Sequence, residues 1–141
     1  MPTAFHLDHD LRCVFSRAWG RVVDDELFAH ATMLRAHPGF DPGYRQCMDF
    51  HDVTAVEVTS EAIRRMVEFN PFRPDSKRAL VVNRVVMHGL ARMYQLAGDL
   101  SHEHVRPLQT LAEAFEWLGL PADTPWPTGE PHWSSVLSDP A

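Results

Sequence analysis

Between positions 49 and 60 the chain collects Asp49, His51, Asp52, Thr54, Glu57, Thr59 and Ser60, its densest group of side chains able to do chemistry. His51 beside Asp52 invites a general-base reading, because a carboxylate can orient an imidazole toward a proton. Adjacent side chains rarely aim at one atom, however, and no activated nucleophile accompanies the pair, so an exposed loop histidine is the plainer reading. Thr59 or Ser60 would open a helix, where free amides and the positive end of the dipole could accept an added phosphate. The plainer role for these hydroxyls is capping, and for Asp52 and Thr54 it is stabilising a loop through local hydrogen bonds.

Metal chemistry would need clustered ligands. His6-x-x-His9 and His102-x-His104 are the tight histidine pairs. A pair two apart on a strand shares a face, but a site needs a third ligand that neither spacing supplies. Cys13 and Cys47 sit in no CxxC or Cys/His spacing and read as reduced, buried thiols. The chain has no glycine-rich phosphate loop, no GxSxG and no HExxH. The expectation is therefore a non-enzymatic protein without metal or cofactor. An apolar alternative comes from Gly89, which costs about 1 kcal/mol inside a helical pattern. It reads as close helix-to-sheet packing, or else as a gap opening onto an apolar pocket lined by Met87, Leu90, Met93 and Tyr94.

These residues must be held by something, and composition bounds what. A chain of 141 residues with 45% hydrophobic and 23% charged residues fits one globular domain. Its net charge of −6 disfavours a nucleic-acid partner. No apolar run approaches the roughly 18 residues of a membrane span. The first eight residues lack both the basic and the apolar region of a signal peptide, so a cytoplasmic location is expected.

Period-two alternation predicts strands over residues 5–9 and 11–19, joined tightly at Asp10 and closed by Gly20. Asp24, Asp25 and Glu26 open a helix with Leu27, Ala31 and Leu34 on one face, ended by Pro38. Residues 44–50 read as a third strand and 52–58 as a loop. A helix follows, with Ile63, Met66 and Val67 inward, until Pro71 and Pro74 stop it. The apolar run 79–82 reads as a central parallel strand. Residues 85–97 form a helix with Val86, Leu90, Met93 and Ala97 on one side. Residues 105–108, containing Pro107, form an edge strand. Thr110 and Glu113 match a capping box before a helix burying Leu111, Ala114, Phe115 and Leu118. The order β-β-α-β-α-β-α-β-α implies an α/β fold, a mixed and mostly parallel sheet of about five strands with four helices, built from right-handed crossovers. Beyond an expected domain over residues 1–119, residues 120–141 form a proline-containing tail. Its Trp126 and Trp133 either lie over the domain or serve a partner-binding or homodimer-forming arm.

Several local words in this order resemble the SpoIIAA-like branch of STAS domains: Trp19-Gly20, Phe40-Asp41-Pro42, the run from Met48 to Thr54, the run from Gly89 to Tyr94, and the run from Glu113 to Leu118. The resemblance implies a bacterial regulatory domain of the anti-sigma-factor-antagonist kind, which contacts a protein partner and is switched by phosphorylation of a serine at a helix start. Thr59 falls on that serine, Glu57 where the pattern has aspartate, Val58 where it has a further serine, and Ser60 where it has glycine. The expected working surface is residues 49–60, with Thr59 or Ser60 as phosphoacceptor. The alternative is a carrier or sensor of a small apolar molecule or lipid, held between the sheet and the helices over 60–69 and 85–97.

Overall fold

Short polar side chains and buried alternation begin the fold as a hairpin. β1 (Thr3–Asp8) runs antiparallel to β2 (Cys13–Val23), from Asp8 opposite Cys13 to Thr3 opposite Ala18. The turn is held by the Leu11 amide donating to Asp8 Oδ1 (2.9 Å) and by Arg12 at a positive φ of 52°. The computed structural model describes residues 3–82, 85–97, 104–127 and 134–135.

Gly20 does not close the second strand. At φ 67° it sits where β2 and β3 (Arg45–Glu57) change register, and β2 runs on to Val23. Only glycine takes that backbone angle cheaply, so its role is to let the strand bend and continue.

The acids at 24–26 do open α1 (Asp24–Ala36), and Glu26 Oε1 accepts from the Val23 amide (3.2 Å), satisfying a donor at the helix start. α2 (Ser60–Phe69) is capped by Thr59, whose Oγ1 accepts from the Ala62 amide (3.1 Å). β4 (Arg78–Val81) is buried throughout, as a central strand should be. α3 (Val85–Ala97) turns Met87, Ala91 and Tyr94 inward with Leu90 half-buried. The inner stripe is thus one residue out of phase with the predicted one, and Met93 stands 38% exposed. The side chains of Val86 and Ala97 lie outside the described residues. β5 (Val105–Leu108) is the edge strand, and α4 (Leu111–Leu118) follows it. Thr110 accepts from the Glu113 amide (3.1 Å), and Glu113 accepts from the Thr110 hydroxyl rather than reaching a backbone amide. Gly119, at φ 77°, ends the helix with its amide bonded back to Glu116 and Phe115.

Among the described residues the result is an α/β fold, a mixed sheet of order β5-β4-β3-β2-β1-β6 with four helices. β2 through β5 pair in parallel, and β1 is antiparallel to both neighbours. β6 (Ser134–Ser135), which no periodicity announced, adds to β1 opposite Ala4 and Phe5. Alternation along the strands sends Ser16, Ala18, Met48, Phe50 and Leu80 toward α1, α2 and α3. It sends Cys13, Phe15, Cys47, Ala79 and Val81 toward α4. Leu120 is buried on the α4 side, and the Trp126 ring meets Phe15 edge-on at 5.4 Å. Trp133 lies outside the described residues. No helix among those described is long and apolar enough to cross a membrane.

Candidate functional site

Two places merit a chemical reading: the acidic segment after Met48, and a cavity beneath α1, α2 and α3.

The segment 52–58 is not a loop. β3 continues past Phe50 to Glu57, paired with β2 as far as Val23. Between Arg17 opposite Asp49 and Trp19 opposite Asp52, β3 advances three residues while β2 advances two. A second extra residue enters between Val53 and Ala55. Each bulge shifts the alternation by one, and this hides the strand from a period-two search. His51, Asp52, Thr54, Glu57, Thr59 and Ser60 are all exposed, whereas Asp49 is half-buried. Burial raises the Asp49 carboxyl above its ordinary range, opposed by the His51 amide, which donates to Oδ1 at 2.9 Å. Glu57 pairs with Arg21 across the ribbon, and that bond lowers its carboxyl.

Thr59 is engaged on both sides. Its amide donates to Asp24 Oδ1 (2.9 Å) and its hydroxyl to Asp24 Oδ2 (3.0 Å), while the same oxygen caps α2. A phosphate there would surrender the cap and stand against the Asp24 carboxylate. Ser60, the first residue of α2, is exposed.

Of the two histidine pairs, the described residues include His6, His9 and His104. His9 Nδ1 bonds the Tyr44 hydroxyl (2.7 Å), and His102 lies outside the described residues. Among the described residues no three of His, Cys, Asp and Glu converge on one point. Cys13 and Cys47 are buried free thiols; burial pushes Cys13 up to about 12 and raises Cys47 as well.

The cavity, of about 110 Å³, lies between the sheet and the three helices on that face. Leu27 and Leu34 of α1, Ile63 and Met66 of α2, and Met87 and Leu90 of α3 form walls over a sheet floor of Met48 and Leu80. Met87, Leu90 and Tyr94, expected around an apolar pocket, do line it; Met93 does not. Gly89 neither packs on the sheet nor opens the cavity. It is exposed, and a Cβ built on it would meet nothing within 4 Å.

One end of this apolar space is polar. Gln46 and Arg78 are direct partners across β3 and β4, so their side chains leave the same face side by side. Gln46 Nε2 donates to Ser16 Oγ (3.1 Å), and His30 Nε2 shares that hydroxyl at 3.1 Å. Arg78 Nη2 donates to the Tyr94 hydroxyl (2.7 Å), and its guanidinium lies over the Phe72 ring at 5.0 Å and the Tyr94 ring at 5.2 Å. Both basic side chains are buried, and among the described residues His30 Nδ1 and Arg78 Nε have no hydrogen-bond partner. Burial lowers His30 to about 4, which keeps it neutral near pH 7.

Neither His30 nor Arg78 stood out in the sequence. His30 lies three residues after Leu27 and four before Leu34, so the helix period does place it inward, more deeply than the predicted Ala31. Arg78 opens an apolar strand, a place where arginine usually reaches solvent, and no local signal marks it as buried.

In comparisons with known proteins, no family model, no curated protein and no solved structure matches the chain.

Proposed function

We infer that this is a ligand-binding domain, a carrier or sensor rather than a catalyst, whose site is the cavity between the sheet and α1, α2 and α3. The observation that carries the reading is the cavity itself. Protein interiors are close-packed, with few voids larger than a water molecule. The space here, of about 110 Å³ and partly open to solvent, is well above that size. A chain that maintains such a void beside buried polar groups gains most if something fills it. The volume is below the few hundred Å³ of an ordinary ligand pocket, and a void of roughly 150 Å³ takes benzene. The fitting occupant therefore has about six non-hydrogen atoms.

The regulatory reading drawn from the STAS-like words is the second proposal. Its support is the exposure of residues 51–60 on the bulged β2–β3 ribbon, a surface that a protein partner could reach. Thr59 suits a switch poorly, because its hydroxyl already serves the cap and Asp24.

Xenon dissolved in a solution of the protein tests the cavity. Saturable xenon binding is expected by NMR, with shifts at the Met48 and Met87 methyls. Ala91→Leu, which fills the space from the α3 wall, should remove the binding and raise the melting temperature. Wild-type protein that leaves xenon unperturbed would refute the reading.

A further inference from the structure

We propose that the cavity takes a small monoanion, a short-chain carboxylate whose acid group sits at Arg78 and Tyr94 and whose apolar end lies against Met48, Leu80 and Met87. This rests on the reading of the cavity as a ligand site.

The argument starts from an unbalanced charge. Arg78 is 6% exposed and carries a guanidinium that stays protonated in proteins. A buried ion is expected to have a charged partner or a full set of hydrogen bonds. Among the described residues Arg78 forms no ion pair, and the residues lining the cavity include no aspartate or glutamate. Among the described residues its side-chain hydrogen bond goes to Tyr94, and Nε is left over.

The aromatic contacts soften the charge without balancing it. Phe72 and Tyr94 lie at 5.0 and 5.2 Å from the guanidinium carbon, which partly offsets the charge. The rings carry no net charge, so Nε and the N–H groups not bonded to Tyr94 still call for an acceptor, a role that a carboxylate fills with paired bonds. Tyr94 strengthens the case. Its oxygen accepts from Arg78, so its own O–H remains to donate, and both residues line the cavity. A neutral or cationic head group would leave the arginine unbalanced. One cation also matches one negative charge better than it matches a phosphate dianion. The space beyond, walled by methionine and leucine, suits a branched hydrocarbon tail of three or four carbons.

The wild-type protein, titrated at pH 7 with 2-methylpropanoate and with the isosteric 2-methylpropanamide, separates charge from shape. Methionine-methyl NMR reports both, with xenon as the probe of the bare cavity. The carboxylate is expected to bind about tenfold more tightly than the amide, as charge-assisted hydrogen bonding would give. Arg78→Met should erase that preference while the amide still binds. Tyr94→Phe keeps the ring and loses the hydroxyl; it should weaken the acid severalfold and leave the amide unchanged, which keeps a test available if Arg78→Met does not fold. Equal affinity for acid and amide, or an unaltered preference in Tyr94→Phe, overturns the anion assignment while xenon binding leaves the cavity reading intact. Absence of xenon binding removes both.

Discussion

His30 illustrates how a single side chain couples the cavity to solution conditions. It is neutral because burial on α1 penalises the imidazolium, and its proton affinity falls from the ordinary 6.5 to about 4. The unfolded chain therefore binds more protons than the folded one between these values, so stability rises with pH across the window. The His30 contribution is complete above 6.5 and is lost as pH falls toward 4, a difference of roughly 3 kcal/mol. Urea unfolding of wild type and His30→Leu at intervals from pH 4 to 7.5 should show the wild-type slope flattened in the variant. Equal slopes would mean that the imidazole is not buried as the Ser16 bond requires. Arg78 is the contrasting case, a buried guanidinium whose unbalanced charge only a partner can relieve.

At the scale of elements, local chemistry was legible and pairing was not. The Thr59 and Thr110 caps, the acidic start of α1 and the edge position of β5 follow from side chains acting within a few residues of themselves. Residues 52–57 escape a period-two search because two bulges break the alternation that identifies a strand, and the partner that makes them a strand lies more than thirty positions away. Gly89 differs from expectation for a related reason: an isolated glycine signals close approach only if something approaches. Nothing does. A Cβ at Gly89 meets no atom within 4 Å, and the residue lies inside α3. Gly89→Ala should therefore stabilise the protein by about 1 kcal/mol, through helix propensity and reduced freedom of the unfolded chain. Thermal and urea denaturation would register this, and a loss of stability would show that the position faces a neighbour after all.

Across the whole molecule, the sheet divides two unequal layers, three helices over the cavity and α4 with Trp126 over the other face. Trp126 contacts Phe15 at 5.4 Å and is half-buried, so the start of the tail belongs to the packing of the second layer. Trp126→Ala should cost about 2 kcal/mol, less than the roughly 3–5 of a fully buried ring. The variant should unfold at lower urea and keep its sedimentation coefficient. A stable variant with an altered coefficient would instead assign the ring to contact between molecules. The amino-acid sequence by itself determined the kinds of elements, their order and most of their ends, because caps, periodicity and proline act over a few neighbouring residues. Only the tertiary structure decided that β3 runs on beside β2, that a void stays open beneath α1, α2 and α3, and that Arg78 is sealed at its end. Burial depends on what the rest of the chain brings to the opposite side, and no local pattern carries that.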